Sequence, residues 1–339
     1  MKQDAKAPLP CYDSILETVG RTPLVRLRKI AADFPGEVFA KIEYLNPMGS
    51  IKDRIARHMI EEAERSGRIH PGDLIIENSS GNTALGLALV AIQKGYRLKV
   101  VVRDRISQEK VALLRALGVE VQMVDSSLPP EHPDSYNNIT PRLARETPGC
   151  YFPDQHNNRE NNDAHYRTTG PEIWEQMGGR IDYLVAGMGT GGTIGGTARF
   201  LKEQDTRIQV IAVDPEGSVF YDYFHTGKRA EPAPYLLEGL GDEFIIGTAD
   251  FSVIDEVYRV TDEQAFLSAR ELVRREGMMA GGSSGAALWG VLKLIRTLDR
   301  PARIVTIFPD SATRYLRSIF DDDWMKEHGY RLERETGDR

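Results

Sequence analysis

From residue 37 onward, short apolar runs alternate along the chain with segments in which apolar residues recur at helical spacing. The apolar runs predict strands over residues 38–42, 74–77, 98–102, 120–124, 183–186, 209–213 and 304–308. Between them, helices are predicted over residues 83–94, 108–117, 163–176, 193–203 and 286–298. This alternation is typical of an α/β fold, in which helices cover both faces of largely parallel sheets.

Two further helices are marked by the residues at their ends. One is expected to begin after Ser50, whose side chain would cap it, and to end at Gly67. The other begins at a capping box formed by Thr261 and Gln264 and ends near Arg275. Residues 126–162 are rich in Pro and Asn and follow no regular pattern, so we expect the chain to pass between two lobes there.

The composition is that of an ordinary soluble globular protein. The 339 residues are 41% hydrophobic and 27% charged, and the net charge of −7 argues against general binding to nucleic acid or to anionic membranes. No apolar stretch approaches the roughly 18 residues that cross a bilayer, and the N-terminal residues lack the apolar core of a signal peptide. Cys11 and Cys150 provide neither a disulfide framework nor a zinc motif, so we expect a cytoplasmic protein without a bound metal.

One segment places a cluster of glycines between a predicted strand and a predicted helix. Residues 182–193 read DYLVAGMGTGGT, and the glycines are Gly187, Gly189, Gly191 and Gly192. A tight turn needs only one glycine with positive φ, whereas several glycines before a helix N-terminus are typical of a loop that binds phosphate through backbone N–H groups. We therefore expect this loop to bind a phosphate group.

The residues leave the kind of phosphate compound open. Gly187, Gly189 and Gly192 satisfy the dinucleotide fingerprint G-x-G-x-x-G. Asp214 ends the next predicted strand near the position expected in an NAD(P)-dependent dehydrogenase. Thr190 and Thr193 suit a compact terminal phosphate monoester equally well.

Two other loops and one lysine have groups suited to chemistry. The segment ENSSGNT at 77–83 is either a polar turn or a site for a small carboxylate, and GGSSG at 281–285 opens another helix. Lys52 lies in the first turn of a helix, where its charge opposes the helix dipole. Such a lysine is either a solvated surface charge or an amine that forms a Schiff base with a carbonyl cofactor. The dehydrogenase interpretation gives these features no role.

Taken in order, the motifs NPMGSIKDR, SSGNTA, GTGGT and GGSSG resemble those of the pyridoxal-phosphate enzymes of the cysteine synthase and cystathionine β-synthase family. The resemblance extends from VGRTPLVRL to PDSATRYL and DDDWM, and VDPEGS and AHYRTT are closer to the cystathionine β-synthase branch. It implies the tryptophan synthase β-like fold (PLP fold type II), with a smaller lobe at residues 46–152, a larger lobe at 9–45 and 153–326, and tails at 1–8 and 327–339. Because members are usually homodimers, a homodimer is expected.

The resemblance also implies a role for each motif. Lys52 would hold pyridoxal 5′-phosphate through a Schiff base and act as acid and base at the substrate Cα. Asn82 would bond the ring 3′-oxygen of the cofactor, and Ser283 its pyridine nitrogen. The cofactor phosphate would be bound by Gly189, Thr190, Gly191, Gly192 and Thr193. The amino-acid substrate would be bound by Ser79, Ser80, Gly81, Asn82, Thr83, Gln155 and His156.

The implied reaction is β-replacement on L-serine, O-acetylserine or O-phosphoserine through an aminoacrylate intermediate. A thiol or sulfide would be the acceptor, with homocysteine as the first expectation, so that the product is cystathionine or cysteine. An amine acceptor, as in diaminopropionate synthesis, is an alternative within the family. A nicotinamide-dependent dehydrogenase and a catalytically inactive binding homologue are alternatives from other classes.

The sequence departs from the family pattern near the expected substrate. Ser79 replaces a threonine, and Ala84 replaces a glycine. His156 and Asp242 stand where cystathionine β-synthases have tyrosines. His156 is either a polar loop residue or a group that orients or deprotonates the second substrate. Asp242 either attracts a cationic nucleophile or caps a turn.

Overall fold

The strands of the protein form two separate sheets in a computed structural model that describes residues 11–129 and 131–333. The N-terminal residues considered above and the end of the second tail lie outside the described residues. The strands are β1 (Leu24–Arg26), β2 (Glu37–Ile42), β3 (Leu74–Asn78), β4 (Arg97–Arg103), β5 (Glu120–Val124), β6 (Cys150–Tyr151), β7 (Tyr183–Gly187), β8 (Gln209–Pro215), β9 (Glu256–Val260) and β10 (Arg303–Phe308).

The pairing of these strands is almost entirely parallel. The larger sheet has the order β1-β2-β10-β7-β8-β9, and the smaller sheet has the order β5-β4-β3-β6. β1 is antiparallel to β2, and the other pairings between these strands are parallel. The predicted α/β fold with two lobes is therefore confirmed, and the lobe boundaries given above stay a prediction.

Helices connect the strands and cover both faces of the sheets. They are α1 (Lys52–Arg65), α2 (Asn82–Lys94), α3 (Gln108–Ala116), α4 (Tyr136–Glu146), α5 (Glu160–Arg167), α6 (Thr169–Gln176), α7 (Gly192–Gln204), α8 (Phe220–Thr226), α9 (Asp262–Glu271), α10 (Gly282–Ile295) and α11 (Asp322–Glu327). In β7, Val185 faces the cluster that contains Leu288 of α10, whereas the preceding Leu184 faces the cluster that contains Ala198 of α7. Alternate residues of one strand thus enter cores on opposite faces, as expected for a covered parallel sheet.

Several predicted boundaries were wrong. The stretch 126–162 contains α4 and β6, and the predicted helix 163–176 is two helices separated at Thr168. The helix predicted to begin at residue 286 begins at Gly282, so the GGSSG segment forms its first turn. The first helix begins at Lys52 without a side-chain cap, although Ser50 Oγ accepts the Lys52 N–H at 3.3 Å. The capping box of Thr261 and Gln264 is confirmed.

The parallel strands bring distant segments to common sheet edges. β3 ends before the SSGNT segment, β7 ends at the glycine loop, and β10 ends two residues before Asp310. Residues that follow the carboxyl ends of parallel strands are the usual place for a ligand site in such folds. Within the described ranges, no helix is long and apolar enough to cross a membrane.

Candidate active site

Lys52 is held where α1 meets the segment after β10. The Ile51 N–H donates to the Pro309 carbonyl at 2.8 Å, and Ser50 forms an antiparallel bridge with Asp310. Burial disfavours the ammonium form and lowers the pKa of Lys52 to about 8, while the charge of Asp310 opposes this shift. A lysine with this pKa has a substantial neutral fraction near physiological pH, as a nucleophilic amine requires.

Asn82, the first residue of α2, is bonded to the same aspartate. Its Nδ2 donates to Asp310 Oδ2 at 2.8 Å, and the Tyr315 hydroxyl donates to that oxygen at 2.7 Å. The Gly281 N–H donates to the Asp310 carbonyl at 3.0 Å, so the GGSSG segment is anchored here as well. Ser283 is buried one residue into α10. Asp310 therefore joins the segments that carry the predicted Lys52, Asn82 and Ser283.

The glycine loop is packed too closely for side chains. A Cβ on Gly189 would lie 2.3 Å from the Gly239 carbonyl oxygen, and a Cβ on Gly192 would lie 1.9 Å from Asn161 Oδ1. Gly191 has a φ of 77° and immediately precedes α7, whose start has no side-chain cap. The N–H groups in the first turn of a helix lack partners within the helix, so this loop presents unpaired donors at a positive helix end.

The side chains of the two threonines of the loop are fixed by residues of α5. Asn161 Nδ2 donates to Thr190 Oγ1 at 3.1 Å and to the Gln155 carbonyl at 2.8 Å. Thr193 Oγ1 lies 3.2 Å from Nε2 of the buried His165. Burial lowers the pKa of His165 well below its usual range, so this imidazole is neutral.

The SSGNT segment lies against residue 155. The Thr83 hydroxyl donates to Gln155 Oε1 at 2.6 Å, and the Gly81 N–H donates to Ser79 Oγ at 3.4 Å. Ser79, Thr83 and Gln155 are buried, and Ser80 is half-buried. The predicted substrate residues thus form one wall of the same region, on the side of the smaller sheet.

A buried acid lies beneath this wall. Glu77 is fully buried at the end of β3, and its Oε1 accepts the Asn78 N–H at 3.1 Å. Burial raises the pKa of Glu77 to about 8, helped by the charge of Asp154 and opposed by nearby backbone N–H groups. At pH 7 the side chain is therefore mostly protonated and adds little negative charge beneath the segment expected to bind a carboxylate.

His156 and Asp242 lie on the loops that border the glycine loop. The His156 carbonyl accepts the Thr248 N–H at 3.1 Å and the Thr248 hydroxyl at 2.8 Å. Asp242 Oδ1 accepts the Phe244 N–H at 3.1 Å, so this aspartate does cap a turn. Burial lowers the pKa of His156, while the charge of Asp242 raises it and that of Lys52 lowers it. The charges of Asp242 and Lys52 therefore both act on the His156 imidazole, in opposite directions.

Asp214 does not support the dinucleotide interpretation. Its side chain is fully buried, and Oδ2 accepts the Tyr221 N–H at 2.9 Å. A ribose-binding aspartate has to face the ligand. Asp214 instead holds the start of α8.

The sequence analysis missed four polar residues that organise this region. Asp310, Asn161, His165 and Thr248 are all buried and bonded to predicted site residues or to their loops. For Asp310 a signal was available, because a carboxylate directly after the apolar run of β10 is a buried-acid candidate at a sheet edge. The other three lie in helix or loop segments without a periodic signal.

Comparison with known proteins identifies the family to which this site belongs. Residues 15–310 match the family model described as pyridoxal-phosphate dependent enzyme, and the chain belongs to this family. It is 43% identical to a cystathionine β-synthase of Oryctolagus cuniculus over 98% of its own length and 60% of the relative. It is 38% identical to a cysteine synthase of Staphylococcus aureus, with 91% of this chain and 98% of that protein covered.

A solved structure shows the same fold. The chain matches a hydrogen sulfide-producing enzyme from Fusobacterium nucleatum with a TM-score of 0.82 and 34% identity, over 89% of this chain and 97% of that one. By contrast, the chain spans about 60% of the length of the mammalian cystathionine β-synthases that it matches. The cofactor of the family is pyridoxal phosphate.

The residues present fit this cofactor. The glycine loop offers a cradle with unpaired N–H donors for its phosphate, and Lys52 offers an amine of lowered pKa for its aldehyde. Asn82 Oδ1 is buried without a hydrogen-bond partner among the described residues, so this predicted site residue has an acceptor free for a ligand.

A glycine substitution tests the cradle. Gly191→Ala is expected to weaken pyridoxal-phosphate binding about tenfold or more, equivalent to ~1.4 kcal/mol. The reason is that its Cβ would lie 2.8 Å from Ala249 Cα and would push the loop away from Thr248. Binding is measured by fluorescence titration of the apoprotein.

The matched control is Gly95→Ala. Gly95 has a φ of 76°, close to that of Gly191, but a Cβ there would meet nothing within 4 Å. Both variants carry the same cost of about 1 kcal/mol for a left-handed alanine. Equal cofactor affinity in the two variants would show that the contacts of Gly191 do not shape the site.

Proposed function

We propose that this protein is a pyridoxal-phosphate-dependent β-replacement enzyme. The donor is L-serine, O-acetylserine or O-phosphoserine, and the acceptor is a thiol or sulfide, with homocysteine as the first choice. The observation that carries the proposal is that Asp310 joins the start of α1, which carries Lys52 with its lowered pKa, to Asn82 and to the GGSSG segment. The printed names of the relatives, cystathionine β-synthase and cysteine synthase, agree with it.

Each predicted residue has a role in this proposal. Lys52 would hold the cofactor at its aldehyde group, and Asn82 and Ser283 would bind its ring oxygen and ring nitrogen. The cofactor phosphate would be bound by Gly189, Thr190, Gly191, Gly192 and Thr193. The α-carboxylate of the donor is bound by Ser79, Ser80, Gly81, Asn82, Thr83 and Gln155.

The reaction needs a proton to leave the donor Cα and a substituent to leave its Cβ. The bound cofactor supplies the electron sink for these steps. Lys52 would take the Cα proton, and its pKa of about 8 suits both uptake and return of a proton. The neutral hydroxyl of Ser283 does not enforce a protonated ring nitrogen, which favours elimination at Cβ over other outcomes at Cα.

Two residues distinguish the acceptor side. His156 has a lowered pKa and is therefore neutral at pH 7, so it is able to accept the proton of a thiol. Asp242 lies close enough to act on His156 and carries a charge suited to an ammonium group. An acceptor that has both a thiol and an amino group, such as homocysteine, satisfies both residues. An amine acceptor is the second candidate, since Asp242 would attract it.

The homodimer and the cytoplasmic location inferred from the sequence remain part of this proposal. Sedimentation velocity of the purified protein would give the oligomeric state directly.

A donor and acceptor matrix tests the function. L-serine, O-acetylserine and O-phosphoserine are each mixed with homocysteine, sulfide or an amino-acid amine, and the products are identified by mass spectrometry. We expect a thioether or thiol amino acid from one donor with homocysteine or sulfide. If product formed with amines only, the proposed thiol or sulfide acceptor would be wrong and the amine acceptor would take its place. If no pair gave a product, the proposed function would be overturned.

His156→Ala is expected to slow the acceptor step about 100-fold, because removal of a general base typically costs 10²–10⁴ in rate. The donor step, followed alone by stopped-flow absorbance, should be nearly unchanged. His70→Ala is the control, since the His70 side chain is 72% exposed beside Asp73 on the smaller lobe. If His156→Ala slowed both steps equally, His156 would be a structural residue of the loop.

A further inference from the structure

Asp310 is a buried carboxylate to which the predicted site gives no role. It is 1% exposed, and only one of its two oxygens is bonded within the described part of the chain. Oδ2 accepts both Asn82 Nδ2 and the Tyr315 hydroxyl, whereas Oδ1 has no partner. Burial of a carboxylate oxygen without a hydrogen-bond partner costs free energy of folding, so a functional explanation is sought for Asp310.

The backbone of Asp310 fixes its position relative to Lys52. Ser50, two residues before Lys52, is bridged to Asp310, and the neighbouring Pro309 carbonyl accepts the Ile51 N–H. The Asp310 carbonyl also accepts the Gly281 N–H. Two main-chain contacts therefore hold the Pro309–Asp310 segment against the residues just before Lys52, and one holds it against the start of α10.

The free oxygen is turned toward the start of α10. A Cβ on Gly281 would lie 2.3 Å from Asp310 Oδ1 and 2.5 Å from Tyr315 Cε2. A side chain at position 281 would therefore displace the carboxylate, and glycine allows the close approach.

The side chain of Asp310 fixes the amide of Asn82. Because Nδ2 is bonded to Asp310, the amide cannot rotate freely, and its second N–H remains available for a ligand. Asn82 Oδ1 is buried without a protein partner. The orientation of this amide thus depends on one hydrogen bond to a charged acceptor, which is stronger than a bond to a neutral one.

The charge of Asp310 also acts on the protonation of Lys52. This charge opposes the loss of the Lys52 proton, against the effect of burial. Burial raises the pKa of Asp310 itself, and its hydrogen bonds from Tyr315 and Asn82 lower it. The nearby charge of Arg314 also lowers the pKa of Asp310, and that of Glu238 raises it.

We propose that Asp310 is a positioning residue of the active site, which orients the Asn82 amide toward the cofactor ring oxygen and places a negative charge beside Lys52. This inference rests on the proposed function, because it assigns Asp310 to the cofactor site of that enzyme. It predicts two separable effects of removing the charge: a change in the protonation of Lys52 and a loss of cofactor orientation.

The test uses Asp310→Asn and pyridoxal phosphate as the probe. The apoprotein is mixed with the cofactor over a range of pH, and the rate at which the visible absorption band forms is recorded. Without the carboxylate, Lys52 loses its proton more readily, so the pH midpoint of this rate should fall by about one unit. The affinity at a pH where Lys52 is neutral should fall about tenfold, since the Asn82 amide is no longer fixed by a charge.

Tyr315→Phe is the matched control, because it removes the other hydrogen bond to Oδ2 while leaving the carboxylate and Asn82 in place. Its pH midpoint should shift by less than half as much as that of Asp310→Asn. A merely structural role of Asp310 would lower the thermal stability of both variants without moving the midpoint. If Asp310→Asn does not fold, Asp310→Ser is measured in the same way. Serine removes the charge and leaves a smaller polar side chain.

The outcomes separate this inference from the function on which it rests. If the wild-type protein forms no visible band with pyridoxal phosphate, the proposed function fails. If it forms the band and the folded charge-free variant has the wild-type midpoint and affinity, the proposed function stands and the role of Asp310 is overturned.

Discussion

Replacement of Lys52 with alanine is expected to lower the rate of β-replacement by more than about 1,000-fold, because loss of a general base alone costs 10²–10⁴ and the cofactor attachment is lost as well. The Lys52 side chain is half-buried and has a pKa of about 8. The hydrogen bond to Ser50 Oγ at the start of α1 is made by the Lys52 backbone N–H, so truncation of the side chain leaves it in place. The fold should therefore persist. Steady-state kinetics with the preferred donor and acceptor measure the effect.

Two comparisons make this result specific. Lys52→Arg keeps a cation at the site but cannot form the Schiff base, so it should be as inactive as Lys52→Ala. Lys326→Ala removes a lysine whose side chain is 60% exposed on α11 and should retain full activity. Normal turnover by Lys52→Ala would exclude the lysine from the chemistry.

Replacement of Arg54 with alanine is expected to lower the free energy of unfolding by about 3–5 kcal/mol, the typical cost of removing one partner from a buried ion pair. Arg54 Nε donates to Glu43 at 2.7 Å, and its Nη1 donates to Glu172 at 2.7 Å. Lys41, which is fully buried, donates to the same Glu172 at 2.7 Å. The variant would leave the carboxylate of Glu43 buried with too little positive charge. Urea unfolding followed by circular dichroism measures the loss.

This network matters for function because it ties α1, the helix that begins with Lys52, to Glu43 directly after β2 and to α6. Arg57→Ala provides the control, since Arg57 on the same helix is 35% exposed, pairs with Glu61 one turn away and donates to the Leu16 carbonyl at 2.9 Å, without a buried charged partner. Exposed pairs of this spacing contribute about 0.3–0.5 kcal/mol. Similar losses for the two arginines would mean that the buried network does not stabilise this junction.

The network also gives the stability a defined pH dependence. Burial alone would raise the pKa of Glu172, but the hydrogen bond and charge of Arg54 lower it to about 2. A depressed pKa contributes stability that is present above the unfolded value of about 4.5 and is lost as the pH falls toward 2. The difference between wild type and Arg54→Ala should therefore shrink in acid.

The sheet architecture could be predicted from the sequence because its strands are apolar runs bounded by helices with regular spacing. Strands that lack this signature were missed. β9 (Glu256–Val260) has charged residues at two of its five positions, and β1 (Leu24–Arg26) is only three residues long. Helix α4 was missed because it contains Pro141 and lies in a stretch rich in polar residues.

The start of α10 was mispredicted for a different physical reason. Glycine and serine have low helix propensity, so GGSSG suggested a loop before the helix. In the structure, Gly285 lies inside the helix. A Cβ at this position would be 2.1 Å from the Ala265 carbonyl oxygen of α9, so the packing requires glycine here. Close packing of α10 against α9 thus overrides local preference, which a single sequence cannot reveal.

Some residues of the candidate site could likewise be predicted from the sequence, and others could not. Lys52, the glycine loop and the SSGNT segment are continuous motifs, so their residues could be found along the chain. Asp310 and Asn161 act through partners that are far away in the sequence, since Asn82 precedes Asp310 by 228 residues. Such contacts depend on which strand ends meet, and only the fold supplies that information.

The most direct test of the central claim is the visible absorption spectrum of the purified protein. We predict a band from lysine-bound pyridoxal phosphate that is absent in Lys52→Ala, changes when one of the three serine donors is added, and returns when homocysteine or sulfide follows. A wild-type protein that stays colourless with added pyridoxal phosphate, or a band that no donor changes, would contradict the account.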